Sequence, residues 1–251
     1  LPGFDSPGYL LPKGERALSG TDMTDKLIWP SARIEICGPL GSGKSTLASL
    51  LGHYGASTLY EPVAEHPYLE RFYTNPVRFA LETNLHFVTH YLHTVKVHQP
   101  LRTTLVVDSG LPLRRTYHDV CPLTATERLI GDDLMDGVAA LIPPADLYIH
   151  LVASTHQLMR RIAKRGRDIE ASVDMDYVDQ LNRRLDVNMA KISPTSRLLT
   201  LEVAALEGLT DPVSAQPVIE KIHRALHAAL EAGGRIARAE PALPLQLQAA
   251  E

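Results

Sequence analysis

The sequence predicts an α/β fold: an open sheet of five parallel strands with helices on both faces. Three observations carry that expectation. Five short β-rich runs, at Arg33–Cys37, Ser57–Tyr60, Thr103–Val107, Leu147–Val152 and Leu198–Val203, alternate with long amphipathic segments, the pattern of strand–helix–strand units. The first run leads into Gly38-Pro39-Leu40-Gly41-Ser42-Gly43-Lys44-Ser45, a glycine loop followed by leucines at helical spacing. The third run is followed by a carboxylate, Asp108, and ligands of such sheets gather at the carboxyl ends of the strands.

Taken in order, residues 1–32 are rich in proline and glycine and read as an irregular leader, with Met23 a candidate start. The domain is expected over 33–232. Leu81, Leu85, Val88, Leu92 and Val95 recur at intervals of three and four, one face of a long helix. Val178, Leu181 and Leu185 mark another. Gly233-Gly234 ends the last helix, and 235–251 read as a loose tail. The 251 residues are 45% hydrophobic and 22% charged, a composition that excludes a mostly disordered chain. The formal net charge of −4 argues against a sequence-independent grip on nucleic acid. No run has the length of a membrane span. Cys37 and Cys121 are expected to be buried, reduced thiols in a cytoplasmic protein.

The glycine loop fits G-x-x-x-x-G-K-[ST], and each position has a chemical reason. Gly38, Gly41 and Gly43 let backbone N–H groups, including that of Ser42, turn inward as an anion nest. The helix that starts near Lys44 adds its positive end. Lys44 reaches the β and γ phosphates, Ser45 serves Mg²⁺ and Thr46 completes the first turn. Asp108 is the expected acidic partner of the metal. Glu61, in Leu59-Tyr60-Glu61-Pro62-Val63, is a second carboxylate at a strand end. The run Arg160 to Arg167 holds five cations in eight residues beside Gly166. A basic lid of this kind supplies the positive charge that phosphoryl transfer needs. No N-K-x-D guanine reader is present, which argues against a GTPase. His86, His90 and His93 share a helix face without the acid or cysteine partners of a zinc site. Met159, Met175 and Met189 read as core fillers.

These motifs resemble the deoxyribonucleoside kinase family, in particular its bacterial deoxyadenosine/deoxyguanosine branch, over roughly residues 33–230. Glu61-Pro62-Val63 looks like the family's E-P-V, and the resemblance makes Glu61 the general base on a sugar 5′-hydroxyl. Residues His66-Pro67-Tyr68-Leu69-Glu70 resemble its N-P-Y-L-E, with His66 in place of Asn. Tyr73 matches a tyrosine on the sugar 3′-hydroxyl. Arg161, Lys164, Arg165, Gly166, Arg167 and Glu170 fit the lid R-x-x-K-R-G-R-x-x-E, in which the arginines grip phosphates and Glu170 serves the 3′-hydroxyl. The resemblance implies a P-loop kinase fold with a basic lid. It also implies ATP and Mg²⁺ as cofactors, a small nucleoside or analogue as substrate and a homodimer as assembly.

The departures lie at the base end. By spacing, Asn84 and Tyr91 take the places of the family's base-reading Gln and Arg. The family's D-R-S or E-R-S is here Asp108-Ser109-Gly110, with Arg114 and Arg115 as the candidates to replace the missing arginine. The expected activity is phosphorylation of a nucleoside-like 5′-hydroxyl with altered base specificity. The alternatives are a kinase of a non-nucleoside hydroxyl compound and a non-catalytic nucleotide-binding protein of the same fold.

Overall fold

A computed structural model describes residues 27–98, 102–192, 197–206, 208 and 212–235. Its strands are β1 (Ala32–Cys37), β2 (Ser57–Leu59), β3 (Thr104–Asp108), β4 (Leu147–Val152) and β5 (Leu198–Glu202). They form one sheet in the order β2-β3-β1-β4-β5, with every neighbouring pair parallel. Each expected run is met to within one residue at either end. The helices among the described residues are α1 (Lys44–His53), α2 (Leu69–Thr74), α3 (Pro76–Val97), α4 (Leu111–Val120), α5 (Ala125–Leu141), α6 (Thr155–Arg165), α7 (Met175–Ala190) and α8 (Pro212–Ala232).

The two-residue period of a strand sorts side chains to opposite faces. Ile34, Ile36, Val106, Ile149 and Leu201 pack with Leu47 and Leu51 of α1 and Ile219, Ile222 and Leu226 of α8. Leu105 and Val107 face the other way, onto Val88, Tyr91 and Val95 of α3 and Met135 and Val138 of α5. Cys37 and Tyr148 share that second face with Leu113 of α4 and Leu185 and Met189 of α7. The central strand β1 is buried throughout, yet it carries Arg33 and Glu35 between its apolar residues. Arg33 Nε sits 3.1 Å from Glu35 Oε1, so two buried charges are paired, the condition on which such burial is tolerated.

Three expectations change. Trp29, placed in the leader by sequence, is buried in the core, and its Nε1 donates to the Tyr54 carbonyl at 2.8 Å. The packed body therefore begins before residue 33; residues 1–26 lie outside the described part. At the other end, Arg235 bonds Asp146 and, at 3.0 Å, the Ser31 carbonyl. The first tail residue after the two glycines is thus tied to the body. On α3 the helix is as expected, but its most buried stripe is Ala80, Asn84, Val88, Tyr91 and Val95. Leu81 and Leu85 are only half-buried, because α3 turns inward the face on which Tyr91 packs with the sheet residues and Asn84 meets Cys121. Of the three methionines, Met189 is buried, Met159 packs against Leu158 and Ile162, and Met175 is exposed. Both cysteines are free and buried.

Candidate active site

The site lies where the loops leave the carboxyl ends of β1, β2 and β3. Gly43 caps α1 with φ +94°, a backbone state that favours glycine. Gly41 has φ +78°, and a Cβ there would come 2.9 Å from the Leu158 carbonyl oxygen of α6. Lys44 folds back on its own loop, with Nζ donating to the carbonyls of Gly38 at 3.0 Å and Pro39 at 3.3 Å. Ser42 is buried and Thr46 is exposed on the first turn of α1. Ser45 Oγ donates to Asp108 Oδ2 at 2.5 Å. Asp108 is buried, and its Oδ1 has no hydrogen-bond partner among the described residues. A buried carboxylate oxygen left open beside a hydroxyl fits a hard cation with oxygen ligands, so Ser45 and Asp108 suit Mg²⁺.

Glu61 follows β2, the sheet's edge strand, and its side chain is 19% exposed. Burial holds its carboxyl above the usual glutamate range, against the pull of Arg114 and Lys44, and Asp108 pushes the same way as burial. Arg114 Nη1 donates to Glu61 Oε1 at 3.1 Å. The next arginine faces elsewhere: Arg115 bonds Asp132 at 2.7 Å, and also Asp136, on α5. Consecutive helical side chains point in different directions, and only Arg114 enters the site. Its guanidinium lies 5.6 Å from the Phe87 ring centre and 5.5 Å from that of Tyr91. A small cavity behind these groups is lined by Glu61, Asp108, Arg114, His90 and Tyr91.

Tyr91 lines the cavity and is also tied to the central strand. Its side chain is buried and its hydroxyl donates to Glu35 Oε1 at 2.5 Å. The hydroxyl is therefore engaged inside the core by Glu35. Asn84 is buried too, and its amide nitrogen donates to the Ala80 carbonyl at 2.7 Å and to Cys121 Sγ at 3.4 Å. Nearby, His66 is locked neutral between α2 and α3. Its Nδ1 accepts from Tyr68 N at 3.2 Å, and its Nε2 faces the Thr83 carbonyl at 3.3 Å. The ring also packs, tilted by 41°, with its centre 4.1 Å from that of Phe87, and burial pushes its pKa down to about 4.

The lid divides its cations. Arg161 Nε donates to the Gly41 carbonyl at 2.8 Å, docking α6 on the phosphate loop. Arg165 Nη2 lies 2.5 Å from Glu170 Oε2 and Arg167 Nη1 lies 3.6 Å from Oε1. Glu170 is buried in a short 3-10 turn. Ser172 Oγ donates to the Tyr73 carbonyl at 3.1 Å, joining α2 to the lid. Burial and the charges of Glu170 and Glu61 hold the Tyr73 hydroxyl well above its usual range. Tyr117 of α4 feels Tyr73, Glu61 and Glu170 as well. Neither Tyr117 nor Glu35 was singled out from sequence. The signals were there: Tyr117 stands one helical turn after Arg114, and Glu35 interrupts an apolar strand.

Comparison with known proteins places the chain. Residues 34–227 match the family model for deoxynucleoside kinase. The deoxyguanosine kinase of Bacillus subtilis (strain 168) is 27% identical over 178 residues, spanning 67% of this chain and 83% of that protein. The deoxyadenosine kinase of Dictyostelium discoideum is 28% identical over 196 residues, spanning 73% and 78%. A structure of deoxyadenosine kinase from M. mycoides, with products dCMP and dCDP bound, matches with a TM-score of 0.66. It is 23% identical, covering 78% of this chain and 99% of its own, a likeness of fold. The family match runs from β1, ahead of the phosphate loop, into α8, across the sheet and the lid: this chain belongs to the deoxynucleoside kinase family.

Proposed function

We propose that the chain transfers the terminal phosphoryl group of ATP to the 5′-hydroxyl of a nucleoside, with Glu61 as the general base. The observation that carries this reading is the meeting of Glu61 with Arg114 beside the Ser45–Asp108 pair. As the 5′-oxygen attacks phosphorus, its proton passes to the Glu61 carboxylate and ADP leaves. A carboxyl whose pKa is raised accepts that proton more readily near neutral pH. Lys44 and Arg161 stand at the phosphate loop to balance charge on the phosphates. Arg165 and Arg167 join them when Glu170 turns to the sugar 3′-hydroxyl beside Tyr73. Ser45 and Asp108 would hold Mg²⁺, which would supply positive charge beside the phosphates. Asn84 remains the candidate contact to the base. With its amide nitrogen engaged and the Tyr91 hydroxyl held by Glu35, base specificity differs from the family pattern. A cytoplasmic homodimer completes the reading. Leu129, Ile130 and Leu141 on α5 are the exposed apolar side chains such an interface would cover, and no helix among the described residues is long and apolar enough to cross a membrane.

The test is ADP release with ATP, Mg²⁺ and a panel of deoxyadenosine, deoxyguanosine, deoxycytidine, thymidine, base-modified analogues and simple alcohols. At least one nucleoside is expected to stimulate release, and Lys44→Ala is expected to abolish it without moving the thermal midpoint. Stimulation by a non-nucleoside alcohol alone would reassign the acceptor. Stimulation by no compound would leave a nucleotide-binding protein.

A further inference from the structure

Behind Glu61 runs a path of buried contacts. It starts at Glu35 on the central strand, whose side chain is 1% exposed. Three donors fix that carboxylate: Arg33 Nε at 3.1 Å, the Tyr91 hydroxyl at 2.5 Å and the Leu111 backbone N–H at 3.0 Å. Leu111 is the first residue of α4, so Glu35 anchors both the ring of Tyr91 and the helix that carries Arg114. Room for this is made at Gly110, where a Cβ would lie 2.6 Å from Glu35 Oε2. Arg114 then rests over the Tyr91 and Phe87 rings, with a side chain only 5% exposed, and its Nη1 grips Glu61. A desolvated guanidinium held against two ring faces gains cation–π stabilisation and loses little freedom on forming its hydrogen bond. Glu61 itself stands beyond the end of a three-residue edge strand, in a segment without regular backbone pairing. Its carboxylate needs a side-chain partner to keep one orientation.

We propose that Arg114 is a positioning residue for Glu61, and that the Glu35–Tyr91 pair holds Arg114 in place. The proposal rests on Glu61 being the general base. Tyr91 then has a role without touching substrate: it is the platform of the arginine that aims the base. The path also links three deviations from the family pattern. The arginine is missing after Asp108, a glycine stands at 110 and a tyrosine stands at 91.

The experiment is a double-mutant cycle on kcat and KM, using the full chain and a nucleoside that the ADP assay shows to be accepted. Arg114→Gln is expected to lower kcat by roughly 10–100-fold, the scale of a misplaced catalytic group, with KM for ATP changed less than about twofold. Arg114→Lys should recover part of the loss, and Arg115→Gln should leave kcat unchanged. In a Glu61→Gln background, Arg114→Gln should add less than about threefold, because both changes act through one carboxylate. Tyr91→Phe, which keeps the ring and removes the bond to Glu35, should lower kcat by about 3–10-fold and be masked in the same way. Should Arg114→Gln not fold, the cycle is run with Tyr91→Phe and judged by the same criterion. Losses that multiply with Glu61→Gln, or that appear only in KM, would overturn the positioning role. An unchanged kcat for Glu61→Gln alone would instead overturn the reading of Glu61 as base.

Discussion

Glu61 is a carboxyl pulled in two directions. Burial and Asp108 disfavour its charge, while Arg114 and Lys44 favour it, and the balance lies above the ordinary value of 4.5. A base must be ionised to work, so a raised pKa moves the acid limb of the kcat/KM profile above pH 4.5. Glu61→Gln should lower kcat by roughly 10²–10⁴, the usual contribution of a general base, and should erase that limb. Steady-state rates from pH 4 to 9, with ATP binding measured alongside, check both parts. A wild-type profile flat to pH 4 would mean that another group takes the proton. Individual residues were the hardest features to foresee. Spacing placed Tyr91 at a base-reading position on α3, but its direction depends on Glu35, fifty-six positions away in sequence. Arg114 and Arg115 are equal candidates in a string of letters. They separate only once α4 docks, with one side chain toward Glu61 and the other toward Asp132.

Among elements, the contact between the phosphate loop and α6 bears most directly on catalysis. Ser154 caps α6 through a bond from Gln157 N at 3.2 Å, and Gly166, at φ +61°, ends it. The helix then lies against Gly41 so closely that a Cβ there would also meet Ile162 Cγ1 at 3.0 Å. Gly41→Ala therefore adds a clash with backbone to an unfavourable φ, and either the loop or α6 must shift. KM for ATP should rise by about tenfold or more, since roughly 1–3 kcal/mol of overpacking falls on the phosphate site. The thermal midpoint should fall as well. An unchanged KM would show that α6 yields without disturbing the loop. Elements of this kind were largely legible beforehand. All five strands came from short β-rich runs alternating with helical segments; the central β3 is buried throughout and apolar between its ends, while the edge strands β2 and β5 are only partly buried. The glycine loop and the basic run Arg160–Arg167 stood out because the chemistry expected of them needs residue types at set spacings. The buried stripe of α3 was less so, since hydrophobic periodicity passes over Asn84 and Tyr91, whose burial is secured by hydrogen bonds.

At the scale of the molecule, the sheet separates two unlike layers. The face under α1 and α8 packs Ile34, Ile36, Val106, Ile149 and Leu201 against the leucines and isoleucines of those helices. The face under α3, α4, α5 and α7 carries Arg33, Glu35, Tyr91 and Arg114, and beyond its edge the neutral imidazole of His66. This division leaves the active-site layer sensitive to acid. His66 is 7% exposed and its pKa falls from 6.5 unfolded to about 4 folded, first through burial and then through His86. A histidine depressed in this way takes up its proton more easily in the unfolded chain. Its contribution to stability is complete above pH 6.5 and is lost as the pH falls toward 4. Between pH 7 and 5 that loss is on the order of 2 kcal/mol. For a chain of this size it corresponds to roughly 4–8 °C in thermal midpoint. His90, also depressed to about 4, adds in the same direction. His66→Asn removes one titration while leaving His90 in place. Wild type and variant should therefore differ in slope: between pH 7 and 5 the wild-type midpoint should drop more steeply by about that amount. Thermal unfolding at half-unit pH steps decides the matter, and parallel curves would show that His66 is protonated in the folded protein as readily as in the unfolded chain.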